Sequence, residues 1–233
     1  MRKIGIIGAM DEEVDIFKEH MNIEEVRNIA GLEFSCGKIN EKDIVLVRCG
    51  IGKVNAGMCA QILISEFKVD AVINSGVAGT LNDDLDVLDI VVCEDSLYHD
   101  FDTTDFGYEL SVIPRMETSI FKSDEDLMSL ALESSKEVLS DIKVIKGRVL
   151  TGDLFLANKE LKDKLVDLFK GDCVEMESAA IMHVCNLNNV KVLVIRAISD
   201  KADGSADMTY DEFVHKAAIN SKDFLINMIS NMN

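Results

Sequence analysis

Glu13, Glu177 and Asp200 each stand at the end of a short apolar or β-branched run: residues 4–7, 173–175 and 191–198. In a sheet built on parallel strands, ligands bind beyond the carboxyl ends of the strands. These three carboxylates are therefore expected in one crevice. A single acid at a strand end is usually the cap of the next helix, but several converging acids are much less easily accidental. Carboxylates gathered in one crevice can give and take protons and hold ligand hydroxyls. The same strand ends deliver Gly8-Ala9-Met10 with Asp11 and Glu12, Ser75-Gly76-Val77-Ala78-Gly79, Thr151-Gly152-Asp153-Leu154-Phe155-Leu156, Met176 and Ser199. Gly76 and Gly79 would either let backbone approach a ligand closely or make a tight turn from strand to helix.

Other chemistries fit less well. No GxGxxG follows the first strand, and the three acids after Gly8 would repel a pyrophosphate at that helix N-terminus. Cys49-Gly50-Ile51-Gly52-Lys53 has glycines and a lysine without the full phosphate-loop pattern. His20, His99, His183 and His215 are scattered, with no HxH or HExxH, and His99 reads as structural. The cysteines Cys36, Cys49, Cys59, Cys93, Cys173 and Cys185 show no CxxC and lie in or beside apolar runs, as expected of thiols in a reducing cytoplasm.

The elements that must position these residues alternate along the chain. Strands are expected at residues 4–7, 32–38, 43–48, 69–74, 88–93, 144–150, 173–175 and 191–198, with the second and third forming a hairpin. Helices are expected at 11–20 (Asp11 as N-cap), 53–67, 124–139 (capped by Ser123 or Asp124), 158–169 and 177–187. Residues 94–123 read as a long loop, which holds the single proline, Pro114. At the C-terminus, Tyr210, Phe213, Ala217, Phe224, Leu225, Met228 and Met232 recur at helical spacing, as a core stripe. This rhythm describes one α/β domain over residues 1–233 with a mainly parallel central sheet and no linker or repeat.

Composition agrees with a globular chain: 233 residues, 48% hydrophobic and 28% charged. The net charge of −18 argues against duplex nucleic acid and against an anionic membrane surface. The opening Arg2-Lys3 and the short apolar run after it faintly mimic a secretion signal. The run is at the short limit and acids follow it at once, so it reads as a first strand. No apolar stretch approaches the roughly 20 residues of a membrane span.

The motifs then become specific. Gly5-Ile6-Ile7-Gly8-Ala9-Met10-Asp11-Glu12-Glu13-Val14 resembles the opening of the bacterial 5′-methylthioadenosine/S-adenosylhomocysteine nucleosidases. So do Gly50-Ile51-Gly52-Lys53-Val54-Asn55-Ala56, Asn74-Ser75-Gly76-Val77-Ala78-Gly79, Tyr98-His99-Asp100, Phe106-Gly107-Tyr108 and Thr151-Gly152-Asp153. The resemblance continues through Val174-Glu175-Met176-Glu177-Ser178-Ala179-Ala180 and Arg196-Ala197-Ile198-Ser199-Asp200, in order over nearly the whole chain. It implies a nucleoside phosphorylase/hydrolase fold, a three-layer α/β/α sandwich around a mixed sheet, and a homodimer. It implies hydrolysis of the N-glycosidic bond of 5′-methylthioadenosine, S-adenosylhomocysteine and 5′-deoxyadenosine, in methionine salvage and recycling of S-adenosylmethionine by-products. No metal and no cofactor are implied.

The resemblance also implies roles. Asp200 is the acid that protonates adenine near N7, which requires a raised pKa. Glu13 orients and deprotonates the attacking water across the sugar, with an oxocarbenium-like transition state between them. Glu177 holds the ribose hydroxyls beside Glu175, and Met176 packs on the sugar. Phe155 stacks on the base, and the Leu156 backbone recognises it. Ser199 positions Asp200, and Arg196 supports from behind. Met10, Ile51 and Tyr210 line the 5′-thio pocket, Gly79 borders the site, and Phe106 reaches across from a partner protomer. Two departures stand out: Val77 where the family often has serine or threonine, and Tyr210 where phenylalanine is common. A phosphorylase would need arginines or a donor-rich loop for its anion. A sister nucleosidase acting on futalosine-type substrates is hard to separate by sequence, and a catalytically dead nucleoside-binding protein would not need all three acids.

Overall fold

In the computed structural model of the chain, which describes residues 3–139, 141–202 and 210–232 (backbone alone at 210–215, 217, 218, 220 and 221), the apolar runs pair side by side. β1 (Lys3–Gly8) lies between β4 (Lys42–Arg48) and β5 (Ala71–Thr80), and β10 (Lys191–Asp200) flanks β5; all these pairings are parallel. Strands covered on both faces read as continuous hydrophobic runs, and Ile4, Ile6, Ile7, Val72, Ile73, Val194 and Ile195 are all buried. Antiparallel pairings make the sheet mixed. β6 (Ile90–Tyr98) runs against β10, β8 (Val144–Thr151) is parallel to β6, and β9 (Cys173–Glu175) is parallel to β8 and returns antiparallel to β5. Those five strands close a ring, while β3 (Leu32–Ile39) and β2 (Asn22–Ile29) extend the sheet beyond β4.

Helices cover both faces, giving the three layers expected. α2 (Lys53–Glu66) and α5 (Ser178–Asn188) pack on one face through Ala56, Cys59, Ala60, Leu63, Ala179, Ile181 and Met182. α1 (Asp11–Lys18), α3 (Glu125–Val138) and α6 (Tyr210–Asn231) cover the other through Val14, Phe17, Leu127, Ala131, Phe224 and Met228. α4 (Lys159–Phe169) seals β8 and β9 with Leu165 and Phe169. Among the described residues no helix is long and apolar enough to cross a membrane.

Several boundaries differ from the sequence reading. β2 was not expected, because its residues are largely exposed and its place is set by pairing with β3. Ser75–Gly79 is strand, not the turn after one: β5 continues to Thr80 because β10 and β9 pair along it. The loop expected from residue 94 begins later, since β6 continues through a bulge to Tyr98 and Phe121–Lys122 forms β7 against it. The polar residues there are satisfied by tertiary partners. Asp95 takes both Arg148 Nε (2.6 Å) and Nη2 (2.9 Å), and the buried Ser96 hydroxyl donates to Val149 O (2.7 Å). Asp11 is the first helical residue rather than the N-cap, which is Met10. Asp124 does cap α3, accepting the Leu127 N–H at 3.1 Å.

The packing predicts the weight of one contact. Leu63 is fully buried between α2 and β1. Leu63→Ala should cost about 2–5 kcal/mol, because a packed interior collapses only partly around a lost side chain. Equilibrium denaturant unfolding should show a lower midpoint at unchanged slope.

Candidate active site

The site begins where β1 turns into α1. Met10 is extended (φ −123°, ψ 162°), so the helix starts at Asp11 and Glu13 is its third residue. From there the Glu13 side chain folds back. Its Oε2 accepts the N–H groups of Ala9 (2.6 Å) and Met10 (3.2 Å), as the acid of a capping box does. Its Oε1 accepts the Val77 N–H of β5 at 3.0 Å. The approach needs Gly76: a Cβ there would lie 2.8 Å from Glu13 Oε1 and 3.0 Å from Arg196 Nη1. A Cβ on Gly79 would likewise lie 2.8 Å from Asp200 Oδ1. Neither glycine sits in a turn. Each leaves room inside β5 for a carboxylate of the same chain. Burial raises the pKa of Glu13, against the opposing charge of Arg196 and its three N–H donors.

Behind this wall lies a buried ion pair. Arg196 Nη2 donates to Glu175 Oε2 at 2.8 Å, with both side chains almost wholly shielded. Nη2 also meets Asn74 Oδ1, and Nη1 donates to Ile195 O at 3.1 Å. Glu175 further accepts the Thr151 hydroxyl (2.5 Å) and the N–H groups of Glu177 and Ser178 (both 2.9 Å). Burial alone would raise Glu175, but Arg196 and these donors outweigh it and hold its pKa below the ordinary value. Burial would likewise discharge Arg196, but Glu175 and Glu13 keep it charged.

Glu177 is the N-cap residue of α5, and its Oε1 accepts the Gly52 N–H at 2.7 Å. Burial, and then the charge of Glu175, push its pKa up. Asp200 ends β10 just past a bulge between Ile198 and Asp200 that sets it opposite Gly79. Bulges re-aim side chains in this way. The Ser199 hydroxyl donates to Asp200 Oδ2 at 2.9 Å and the Ala202 N–H to Oδ1 at 2.8 Å.

These groups face one cleft of about 120 Å³. Of the expected residues, Met10, Glu13, Ile51, Val77, Gly79, Phe155, Glu175, Met176, Glu177, Ser199 and Asp200 line it. Leu156 lines a smaller adjoining pocket, and Arg196 lies behind the wall. Phe106 is outside this chain's cleft, 82% exposed on a 3-10 turn at Thr104–Phe106. The Tyr210 side chain lies outside the described residues. Among the described residues no group of three or more His, Cys, Asp or Glu could hold a metal ion. His99 is buried beneath Gly152, and burial lowers its pKa.

The sequence reading missed the supporting roles of Asn74 and Thr151. Asn74 closes an apolar strand run and binds both Ile7 O (2.9 Å) and Arg196. Thr151 sits where β8 meets β9 and holds Glu175. A polar residue inside or just ending a fully apolar run was the available signal.

The chain is similar in sequence and architecture to known proteins. Residues 3–230 match the Phosphorylase superfamily. A 5′-methylthioadenosine/S-adenosylhomocysteine nucleosidase of Bacillus pumilus (strain SAFR-032) is 40% identical, over 97% of this chain and 98% of its own. The Helicobacter pylori nucleosidase of the same name, solved with butyl-thio-DADMe-Immucillin-A, superposes with a TM-score of 0.94 at 36% identity, over 100% of this chain and 99% of that one. A structure described as futalosine hydrolase of Helicobacter pylori strain 26695 gives the same TM-score and identity, over 99% and 98%. With its sheet, its bulge-set Asp200 and this likeness along the full length, the chain belongs to the phosphorylase superfamily, in its 5′-methylthioadenosine/S-adenosylhomocysteine nucleosidase branch.

Proposed function

We propose that the cleft hydrolyses the N-glycosidic bond of 5′-methylthioadenosine and S-adenosylhomocysteine, releasing adenine and the 5-substituted ribose. The observation that carries this reading is the lining itself. Four carboxylates, Glu13, Glu175, Glu177 and Asp200, face the cleft, and no lysine or arginine does among the described residues. A phosphorylase must hold an anionic nucleophile with cationic or donor side chains, which this lining lacks, whereas water needs only a base. The apolar Met10, Ile51, Phe155 and Met176 suit a thioether, a sugar face and a purine.

In this reading water adds to C1′ of the ribose, the bond to N9 breaks, and adenine leaves protonated. Asp200 supplies the proton at N7, aimed by the β10 bulge and by Ser199. Glu13, fixed by three backbone N–H groups, takes a proton from water on the other side of the sugar. Glu177 accepts the ribose hydroxyls, Met176 packs on the sugar, Phe155 stacks on the base, and the Leu156 backbone reads its edge. Tyr210 joins Met10 and Ile51 around the 5′ substituent. The Val77 side chain brings no hydroxyl to this wall, so its main-chain N–H is its contribution to holding Glu13. A second reading, a futalosine-type nucleoside as substrate, is favoured by the equal likeness to the futalosine hydrolase structure. It uses the same purine and ribose contacts.

The functional unit in this reading is a homodimer in which Phe106 of one protomer completes the 5′ pocket of the other. Exposed Phe106 supports it, as does an apolar groove beside α2 and α5 that includes Val54, Phe101, Ile113 and Leu187. Val54 is 82% exposed, and apolar patches of this kind mark interfaces. Six free, mostly buried thiols suit a reducing cytoplasm.

Adenine release from 5′-methylthioadenosine in phosphate-free buffer tests the reaction. Release that waits for added phosphate would make this chain a phosphorylase. Asp200→Asn should lower kcat by roughly 10² to 10⁴ while the protein stays folded, the range of a lost general acid. Glu13→Gln should do the same. In the wild type, activity should fall as pH drops and Glu13 takes up a proton. Because burial raises its pKa, the fall should begin above the ordinary carboxylate range. Val54→Glu should yield monomers in sedimentation and a higher KM, and a dimer of wild-type activity would contradict the shared pocket.

A further inference from the structure

The buried residues of α4 are Lys162, Leu165 and Phe169, spaced to share the face that packs on the sheet. A lysine on that face is the exception, because charged side chains are rarely shielded unless a partner holds them. Asp83, its ion-pair partner, does not account for the burial. Nζ lies 3.2 Å from Asp83 Oδ1, but the Lys162 side chain is 7% exposed and that of Asp83 94%. Pairing with so exposed a carboxylate contributes little. The second partner of Nζ is a main-chain oxygen, Lys201 O, at 3.1 Å.

That oxygen belongs to the peptide group joining Lys201 to Ala202. The N–H of the same peptide is the one that donates to Asp200 Oδ1 at 2.8 Å. Lys162 and the Asp200 carboxyl thus grip opposite ends of a single peptide plane, which is rigid. The chain also turns here. β10 ends at Asp200, and buried Ala202 has φ +55°, a left-handed conformation that an alanine keeps only where its surroundings hold it. The Lys201 side chain ties down the same residue from outside, through Leu85 O (2.7 Å) and Asp86 Oδ1 (2.9 Å), without bonding to the peptide itself. Hydrogen bonds in a chain polarise one another, so a cation on the carbonyl makes the N–H a stronger donor to Asp200.

We propose that Lys162 is a positioning residue for Asp200: by holding the Lys201 carbonyl it orients the Ala202 N–H, and through it the carboxyl group that faces the leaving base. The inference rests on the nucleosidase reading, in which Asp200 delivers the proton to N7. Lys162 does not line the cleft, so it acts through the peptide and not on the substrate. Nor does α4 contribute to the apolar groove beside α2 and α5, so a change at Lys162 reads separately from dimer assembly. The Ser199 hydroxyl holds the other carboxyl oxygen, Oδ2, at 2.9 Å. Without the Ala202 donor, Asp200 would be tethered through that one oxygen among the described residues, and its aim would loosen.

The test measures steady-state hydrolysis of 5′-methylthioadenosine by the wild type, Lys162→Met, Asp200→Asn, the double variant Lys162→Met with Asp200→Asn, and Asp83→Asn. Thermal unfolding and sedimentation are measured on each protein. Lys162→Met should sediment as the wild type and lower kcat about tenfold, a part of the roughly 10² to 10⁴ that a general acid supplies. In the Asp200→Asn background the same change should cost less than about twofold, because residues that act through one another are not additive. Asp83→Asn should keep the wild-type kcat. Lys162→Gln, which removes the charge and shortens the reach, replaces Lys162→Met in the cycle if that variant does not fold. A wild-type kcat in the folded Lys162 variant would overturn the inference. Equal fold-losses in both backgrounds, the mark of a general packing defect, would overturn it too. So would a loss in Asp83→Asn as large as in Lys162→Met, which would assign the effect to the surface ion pair. Failure of the wild type to release adenine, or full activity in Asp200→Asn alone, would instead overturn the nucleosidase reading or its acid, and this inference with it.

Discussion

A guanidinium sealed inside the sheet dictates much of its surroundings. Arg196 is 2% exposed, and a lone charge in that position would be strongly disfavoured. It is sustained by Glu175, Asn74 and the Ile195 carbonyl, and by the nearby charge of Glu13. Removing one partner of such a pair typically costs about 3–5 kcal/mol, because the other is left buried and unpaired. The partners come from β9, β5 and β10, so the ion pair fastens the strands whose ends form the cleft. Its reach extends further through Glu175, which also holds the N–H groups of Glu177 and Ser178 and so fixes the start of α5.

The same pair divides the carboxylates by environment. Glu175 has the cation within hydrogen-bond reach and stays charged, while Glu177 has no such contact and is pushed toward its neutral form by burial and by Glu175 itself. Glu13 is buried too, and burial raises its pKa although it faces Arg196 across Gly76 and is held by three N–H donors. Carboxylates of one residue type thereby acquire different proton affinities within a single cleft, which is how neighbouring acids take different roles.

Closure of β5, β10, β6, β8 and β9 into a ring is what brings these groups together. A flat sheet would spread the strand ends in a row. Irregularities then set the details. The bulge before Asp200 aims it at Gly79, and the absent Cβ atoms of Gly76 and Gly79 create the space that two carboxylates occupy. The ring also explains why residues 75–79 are strand despite their turn-like composition: β10 pairs along one side of them and β9 meets their end on the other.

Much of this was legible in the chain. Continuous apolar runs at β1, β5, β8 and β10 mark strands buried on both faces, because such strands have no polar side to show. Glu13 and Asp200 announce themselves at the ends of the β1 and β10 runs and Glu177 after the short run 173–175, where helices start and ligands bind. The helical stripes of α3, α4 and α6 follow from 3.6-residue spacing. What the sequence could not contain was anything that depends on a partner distant in the chain. β2 has no buried face, and only β3 makes it a strand. Glu94–Tyr98 reads as loop because Asp95 and Ser96 are polar, until Arg148 and Val149 satisfy them. Gly76 and Gly79 read as a close approach to a ligand or as a turn, until the fold places carboxylates where their side chains would be. Local periodicity records which face of an element is buried, whereas the pairing of a buried polar group is decided only once the chain has brought its partner within hydrogen-bonding distance.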